Sequence, residues 1–527
     1  MDFIPYILLI PIAFVLGTTD LATSCQDNNC TSADTDANSS DESDLALLGV
    51  DPDIRELHLD HCNNLTILEL TPNLRTLEIF NCSWIRLEIT KLRAVGNLRS
   101  LYFRNSSLLR LGKEMFVQLP HLVILGLGGN KIAIVSPDAL KGLTQLWMLS
   151  LNDNSLVYFE DKVFHPLAEL RHLDLSNNGI FNLPDAIFDK NPKLQVLLLN
   201  GNRLLSINPY TLAILKNLIL LVLSHNAINE MQFLSSETII IDSSRVYRMH
   251  VLGNVSKFQA RNNFLEYLEF EQQSSVTELD LHGNKLTTED MSIILKAMWR
   301  LQRLDLSANL AKELPTFDKV LEVYLLPSLS FVNISSNLLE HLNGDSPLLS
   351  PSLSHLDLSY NRICEMDPNI FSLVYNLQSL HIEGNRLDHF RYEIFHNQQQ
   401  GLKEVALYDN EISYESYKQI TQYFREAGVH VLDQKGLTSV KKESSMEKCV
   451  RAEKDNDNLK IHSHSKEELD LWESTESVHR QFNTFRKLSL WNILIFLSLL
   501  GALALNAILV LQLRRYRGRF EDNSNLL

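Results

Sequence analysis

LVILGLGGNKI, residues 122–132, is the first of five consecutive copies of one phrase of sequence. The other four read LWMLSLNDNSL, LRHLDLSNNGI, LQVLLLNGNRL and LILLVLSHNAI, and they begin at residues 146, 170, 194 and 218. Their general form is LxxLxLxxNxL, and the shared asparagine recurs at residues 130, 154, 178, 202 and 226. This constant spacing over five copies indicates an internal structural repeat.

The central LxL of each copy predicts a short β-strand, because successive side chains of a strand point to opposite faces. The two leucines then face one side, and the residue between them faces the other. The asparagine suits a sharp turn, where its amide can bond backbone groups that have left the sheet. One repeat cannot bury its own apolar side, so neighbouring repeats must stack. A second apolar position recurs in the returning half of each turn, at Phe116, Phe164, Phe188 and Leu212.

The phrase resembles the leucine-rich repeat family. The resemblance implies an α/β solenoid, a horseshoe with a parallel concave sheet and a ladder of asparagines. Weaker copies on both sides predict about 16 repeats within residues 54–433. Cysteine commonly replaces the asparagine in this family, so Cys62 and Cys82 are expected as buried thiols. Short repeats around Ser244 and Asn263 predict a local tightening, and a long one before Asn337 predicts a bulging loop.

The two ends of the chain predict a type I, single-pass membrane protein. The apolar stretch Phe3–Leu16 is too short to cross a bilayer and indicates a cleaved signal peptide. Near the other end, 26 uncharged residues precede four arginines, which places the C-terminus in the cytoplasm. The predicted organisation is a signal peptide at 1–24, an acidic disordered tail at 25–53, the repeat ectodomain at 54–433, a juxtamembrane stalk at 434–487, a transmembrane helix at 488–513 and a cytoplasmic tail at 514–527.

The sequence shows no sign of an enzyme. The glycine-rich GLGGN at 126–130 lies inside a repeat and does not precede a helix, so it does not indicate a phosphate loop. A cytoplasmic tail of 14 residues cannot fold into a signalling domain, which makes a co-receptor necessary for signalling. We therefore expect a binding protein, with no cofactor, no metal and no nucleic-acid partner.

The predicted concave face has two zones. The first is an apolar zone that predicts contact with a protein or a lipid-bearing ligand; its residues are Trp147, Met148, Val196, Leu198, Leu220, Val222 and Ile240. Alternatively, the irregular repeat near Ser244 covers this zone, or these residues merely suit a strand. The second zone, with Asp280, Asp305 and Asp357, would suit a basic partner. The favoured alternative is that these are ordinary aspartates of the family pattern.

Modification and sorting signals agree with a surface protein. The N-glycosylation sequons are Asn29, Asn38, Asn64, Asn81, Asn105, Asn254 and Asn333. A glycan on Asn333, which falls on the concave face, would direct ligand toward the apolar zone. Cys25 and Cys30 could close a small loop or bridge two chains, and Cys449 could form an interchain disulfide or pair with Cys364. The last six residues, with Asp522, Leu526 and Leu527, resemble an acidic dileucine sorting signal.

These features predict a leucine-rich-repeat recognition receptor or co-receptor at the plasma membrane that cycles through endosomes. Its ligand would be an extracellular protein, and the chain itself would be membrane-embedded and linked as a disulfide dimer. The overall plan resembles insect transmembrane leucine-rich immune proteins and Toll-type ectodomains, which implies a role in innate immunity. The alternative function is cell adhesion, homophilic or heterophilic.

Overall fold

The computed structural model describes residues 53–60, 65–81, 92–233, 236–316 and 326–433. Its strands are β1 Glu56–Asp60, β2 Thr76–Phe80, β3 Ser100–Arg104, β4 Arg110–Leu111, β5 Ile124–Gly126, β6 Ile134–Val135, β7 Met148–Ser150, β8 His172–Asp174, β9 Val196–Leu198, β10 Leu220–Val222, β11 Glu230–Phe233, β12 Thr238–Ile240, β13 Arg248–Val251, β14 Lys257–Gln259, β15 Tyr267–Phe270, β16 Glu278–Asp280, β17 Arg303–Asp305, β18 Phe331–Asn333, β19 His355–Asp357, β20 Ser379–His381, β21 Glu404–Ala406 and β22 His430–Leu432. The α-helices are α1 Pro209–Ala213, α2 Thr288–Ile294, α3 Tyr392–Gln398 and α4 Tyr414–Glu426.

Seventeen of these strands form one parallel sheet. Each strand of this sheet pairs in register with the strand of the next repeat, so that Leu149, Leu173, Leu197 and Leu221 form one continuous row. All four leucines are fully buried on the inner side of the sheet. Stacked repeats thus share one hydrophobic core, which is the solenoid-like fold that the LxL pattern predicts.

The asparagine ladder is present, and Asn178 shows how it works. Its side-chain oxygen accepts the backbone N–H of Leu156 at 3.0 Å, and its nitrogen donates to the carbonyls of Leu151 and Leu175 at 3.0 and 3.1 Å. One amide therefore joins the turns of two repeats. The residue before it, Asn177, has φ of 54°, a left-handed conformation that asparagine and glycine adopt most readily.

The apolar spine on the returning side is also present in the 24-residue repeats. Phe116, Phe164 and Phe188 are completely buried, and Leu212 nearly so. The rings of Phe164 and Phe188 stack with centroids 6.1 Å apart and an angle of 8° between their planes. The strand row and this spine enclose the core from two sides.

The short repeats after Asn226 add a second sheet. Their returning halves form β11, β13 and β15, which pair in parallel register. Phe258 of the main sheet meets Phe270 of this second sheet edge to face, with centroids 5.3 Å apart. The core here is therefore enclosed between two layers of strand, an arrangement that the sequence did not predict. Part of the loop expected before Asn337 falls at 317–325, outside the described residues.

The expected helix and strand after the last repeat are α4 and β22. Ser413 caps the helix by accepting the backbone N–H of Ser416, and the helix buries Ile420 and Phe424. Strand β22 then pairs with β21, which extends the main sheet beyond the last consensus repeat. The helix and strand together cover the last repeat, as their amphipathic pattern predicts.

Several predictions fall outside the described residues: the signal peptide, the acidic tail, the stalk, the transmembrane helix at 488–513 and the cytoplasmic tail. The cysteines other than Cys364 do so as well: Cys25, Cys30, Cys62, Cys82 and Cys449. Cys364 itself is disulfide-bonded. Among the described residues, no helix combines the length and apolar character that a membrane crossing needs.

Candidate binding surface

The candidate surface is the face of the main sheet opposite the buried leucines, here called the open face. In β9 the inner Leu197 is fully buried, whereas Val196 and Leu198 on the open face are only half-buried. The same alternation recurs along most of the sheet, so the sequence of the x positions in LxxLxL sets the chemistry of this face. Of the seven residues predicted for the apolar zone, six lie on strands of this sheet, and Trp147 immediately precedes β7.

Five of the seven residues of the predicted apolar zone form one cluster, here called the apolar section. Leu198, Val222 and Ile240 lie side by side on β9, β10 and β12, and Val196 and Leu220 form the row beneath them. All five side chains are half-buried and partly accessible to water. The described part of the irregular repeat near Ser244 therefore leaves this section open.

Trp147 and Met148 stand apart from the apolar section by one strand. Met148 pairs with His172, and His172 pairs with Val196. Burial lowers the pKa of His172, so this imidazole is neutral at neutral pH and does not place a charge beside the apolar side chains. His172 therefore lies between Met148 and the apolar section, and the two are not on neighbouring strands.

A polar network borders the apolar section on its other side. Asp242 accepts the side-chain N–H of Gln259 at 2.5 Å and the backbone N–H of Arg261 at 2.7 Å. The Arg261 guanidinium in turn donates to Asp280 at 2.7 Å through Nε. Burial raises the pKa of Asp242, and the hydrogen bonds oppose this effect. The sequence did not single out Asp242 and Arg261, because each lies two residues after the open-face position of its strand, Ile240 and Gln259.

The predicted acidic zone forms the next part of the open face, here called the polar row: Asp280, Asp305, Asn333 and Asp357. Asp305 accepts the backbone N–H and hydroxyl of Ser307 at 3.0 and 2.5 Å, and the amide of Asn333 at 3.1 Å. Burial, reinforced by the nearby Asp280, raises the pKa of Asp305. These carboxylates are bonded within the chain, which favours the ordinary structural role over a site for a basic partner.

Sequons in the described residues differ in their surroundings. Asn81, Asn105 and Asn254 are exposed, whereas Asn333 is half-buried and its amide is the one that donates to Asp305. The remaining three predicted sites lie outside the described residues. Glycosylation of all seven stays a prediction.

Histidines and carboxylates meet at the C-terminal end of the open face. Glu404 bonds His381 at 3.1 Å and His430 at 3.4 Å, and the bond to His381 is the main reason that the pKa of Glu404 is lowered. Glu383 beside them is buried, and one of its oxygens lacks a hydrogen-bond partner. Burial, together with the charge of Glu383, raises the pKa of Tyr408 to about 12. Within the described residues, no three such side chains are placed to hold a metal ion.

Three stretches of the chain, residues 96–156, 168–228 and 327–387, match the family model for the leucine rich repeat. The chain carries leucine-rich repeats. Two of the three stretches hold the regular repeats and every residue of the apolar section except Ile240, and the third holds the C-terminal part of the polar row. The repeat surface is therefore the place where a functional site must be sought.

Curated relatives match part of this repeat region. Fibromodulin from Bos taurus is 31% identical over 153 residues, which are 25% of this chain and 38% of fibromodulin. Oligodendrocyte-myelin glycoprotein from Homo sapiens is 28% identical over 183 residues, which are 34% of this chain and 39% of that protein. The chain thus spans less than half of the length of these relatives.

Solved structures share the fold. The Leptospira interrogans protein LIC12759 is 21% identical with a TM-score of 0.54, over 72% of this chain and 90% of that one. The LRIM1/APL1C complex is 22% identical with a TM-score of 0.56, over 72% and 66% of the two chains. Toll from the Drosophila Toll–Spatzle complex is 21% identical with a TM-score of 0.56, over 75% and 59%. At such identities the likeness concerns the solenoid fold alone.

Proposed function

We propose that this chain is a cell-surface recognition receptor or co-receptor that binds an extracellular protein through its apolar section. The observation that carries the proposal is the contrast on one face between polar groups bonded within the chain and five apolar side chains left partly in water. Removing apolar surface from water is worth about 25 cal/mol per Å², so a partner that covers this section gains binding energy there. An apolar patch on an otherwise polar surface is typical of a protein contact site.

The membrane part of the proposal rests on the sequence outside the described residues. The apolar segment at 488–513 would anchor the chain in the plasma membrane, with the repeats outside and the tail from Arg514 inside. A signalling co-receptor is part of this proposal, and residues 522–527 would direct endosomal cycling. An immune role is an analogy with the Toll–Spatzle complex, a hub of Drosophila development and innate immunity.

Disulfide linkage of two chains through Cys449 is part of the same proposal. The disulfide at Cys364 bears on it, because an intrachain pair between these two residues would remove Cys449 from interchain bonding. Mobility of the full-length chain on non-reducing gels, with and without Cys449→Ser, separates the two cases. A dimer that disappears in the variant supports the link, and a monomer in both excludes it.

The orientation can be tested on intact cells that express the full-length chain with a tag at each end. A membrane-impermeant biotinylation reagent should label the repeats, and an antibody should reach the C-terminal tag only after permeabilisation. Labelling of the C-terminal tag on intact cells would contradict the proposed orientation.

Ligand binding can be tested on the same cells with a membrane-impermeant lysine cross-linker. We expect an adduct of constant mass for the wild type that is lost in Val222→Asp. The matched control is Ile293→Asp, which places the same charge at an exposed isoleucine of α2, away from the open face. An adduct that survives in Val222→Asp would exclude the apolar section as the binding surface.

Cell adhesion is the alternative function, and a two-colour aggregation assay separates it from a receptor. Expressing cells that clump with one another indicate homophilic adhesion, and clumps with untransfected cells indicate heterophilic adhesion. A receptor for a secreted protein predicts single cells in both mixtures. Val222→Asp serves again as the variant in which contact through the open face is removed.

A further inference from the structure

A second apolar surface lies on the flank of the regular repeats, outside the open face. It consists of the third residue after the turn position in five successive repeats and is here called the flank row: Leu109, Ala133, Val157, Phe181 and Leu205. All five are exposed, and the four larger side chains keep 53%, 44%, 49% and 61% of their surface in water. Large apolar side chains aligned at this degree of exposure point to a contact surface.

The backbone holds the flank row in place. The N–H of Ala133 donates to the carbonyl of Leu109 at 2.9 Å, and that of Phe181 donates to Val157 at 3.4 Å. The residue just before each member is buried in the core: Leu108, Ile132, Leu156, Ile180 and Leu204. Since neighbouring side chains of extended backbone point in opposite directions, the members of the row must face outward. Their exposure is a consequence of the fold.

The row does not continue into the described repeats after Asn226. In the later repeats the same position is mostly polar or charged: Asn229, Tyr247, Glu266, Thr287, Lys312, Glu340, Cys364 and Asp388. The repeat fold therefore does not require an apolar residue there. In addition, no sequon lies between Asn105 and Asn254, so the four repeats that carry Ala133, Val157, Phe181 and Leu205 have no N-glycosylation site, and only the first repeat, with Asn105 four residues before Leu109, has one. A second protein can reach this flank.

We propose that the flank row is a self-interface, in which two copies of this chain pair antiparallel about a two-fold axis at Val157. In a two-fold interface the same patch serves both copies, and its residues meet in reciprocal pairs. Val157 then meets itself, and Leu109 meets the partner's Leu205. Ala133, the smallest member, meets the partner's Phe181, the largest. The order of sizes along the row is thus self-complementary about its centre.

The charges beside the row are compatible with this pairing. Lys131 and Arg203 are exposed cations two residues before Ala133 and Leu205, and Arg110 is an exposed cation next to Leu109, where its counterpart is the partner's Ser206. In the antiparallel arrangement Lys131 faces the partner's Gly179, and Arg203 faces the partner's Ser107, so like charges do not oppose each other. A parallel offset pairing would instead be open-ended and would not close into a dimer.

The flank row is short, so the contact that it can form is small and weak. With neighbouring strands about 4.8 Å apart, five repeats span roughly 20 Å along the sheet. Such a contact belongs to the small, transient class of protein interfaces, so the dimer should depend on concentration. This inference concerns a surface other than the open face and does not rest on the proposed function.

Disulfide trapping of the full-length chain tests the axis directly. In a background with Cys25→Ser, Cys30→Ser and Cys449→Ser, which removes every cysteine predicted to bridge two chains, Val157→Cys should give a dimer on mild oxidation, and the background itself should not. Two cysteines on the axis can reach the Cβ separation of about 3.8 Å that a disulfide requires. Leu109→Cys alone should stay monomeric, because its counterpart is the partner's Leu205, whereas Leu109→Cys combined with Leu205→Cys should dimerise. Ile293→Cys, equally exposed on α2, is the control for random collision.

A further substitution separates a specific contact from chance trapping. Phe181→Asp added to Val157→Cys should lower the yield of dimer about tenfold, because a central aromatic contact is replaced by a charge. Ile293→Asp should leave the yield unchanged. Absence of a Val157→Cys dimer, or an equal yield from Leu109→Cys alone, would overturn the proposed interface.

Discussion

The apolar section and the polar row lie on the same face of one sheet, but their side chains have different surroundings. In the polar row the chain supplies the partners: Asp305 accepts three hydrogen bonds from Ser307 and Asn333. In the apolar section Leu198 and Val222 remain partly accessible to water, with nothing in the described residues to cover them fully. The carboxylates of the polar row thus have hydrogen-bond partners within the chain, whereas the apolar section would gain binding free energy if a partner covered it. Charge on a repeat surface is not by itself the sign of a binding site.

The border between the two lies one repeat after a change in repeat length. Successive turn positions are 24 residues apart from Ser106 to Asn226, and then 18 and 19 residues apart at Ser244 and Asn263. There the returning chain forms a second sheet, and the open face changes from Ile240 to Gln259 and its network. The surface chemistry thus changes one repeat after the repeat length does.

The largest expected effect comes from substitutions in the core, and it tests whether the core contributes equally to stability below both surfaces. Phe188→Ala below the apolar section and Phe371→Ala below the polar row should each lower the free energy of unfolding by about 3–5 kcal/mol. Both rings are fully buried against another phenylalanine. Urea unfolding of the two variants measures this. A loss below about 1 kcal/mol in only one of them would show that the two cores differ.

Arg261→Ala should have the next largest effect, because it removes the guanidinium that bonds Asp280 at the border. The pair is partly exposed, so we expect a loss of about 1 kcal/mol in the free energy of unfolding. Arg203→Ala, an exposed arginine of a regular repeat, should stay within about 0.5 kcal/mol of the wild type. Equal losses in the two variants would mean that the border network contributes no stability.

The pH dependence of stability gives a smaller effect with a defined sign. The folded pKa of Asp305 is raised, so its contribution is fully present below the unfolded pKa and is lost as the pH rises through the folded pKa. Asp305→Asn should therefore gain stability relative to the wild type as the pH is raised from 4 toward 7. Urea unfolding at several pH values in this range measures the trend.

Glu404 provides the opposite case as a control. Its folded pKa is lowered, so its contribution is present above the unfolded pKa and is lost as the pH falls through the folded pKa. Glu404→Gln should therefore lose stability relative to the wild type at pH 7 and less at low pH. The same sign of change for both variants would contradict the assigned environments.

Val222→Thr should have the smallest effect on stability, about 0.5 kcal/mol or less. Threonine keeps the branched shape that suits a strand, and Val222 is already partly accessible to water. Thermal unfolding of the full-length chain checks this. A loss above about 2 kcal/mol would mean that another part of the chain covers the apolar section, as the alternative interpretation of the sequence holds.

Periodicity predicted the parts of the fold that repeat. The LxL rows, the ladder of Asn178 and its equivalents, and the buried Phe164 and Phe188 all follow from residues at fixed spacing. The second sheet was missed, because its four-residue strands have no periodicity that separates them from loops. The contacts of Asp242, Arg261 and Glu404 were missed because they join residues 17–26 positions apart, which only the register of the sheet brings together.

The sequence predicted which residues lie on the candidate binding surface, but it did not predict how far the continuous apolar part extends. The sequence placed Val196, Leu198 and Val222 on one face, as observed, but it could not show that His172 separates them from Met148. The flank row has the same 24-residue spacing as the consensus, yet sequence alone does not tell an exposed leucine from a buried one. Burial is a property of the stacked repeats and is visible only in the structure.

Site-specific photo-crosslinking on living cells tests the central contrast most directly. A photo-reactive phenylalanine would replace Leu198 in the apolar section or Phe331 on β18 beside the polar row, both half-buried on the open face. If the apolar section is the contact surface, Leu198 should give a partner adduct of constant mass and Phe331 should give none. An adduct at Phe331 and none at Leu198 would contradict the proposed division of the open face.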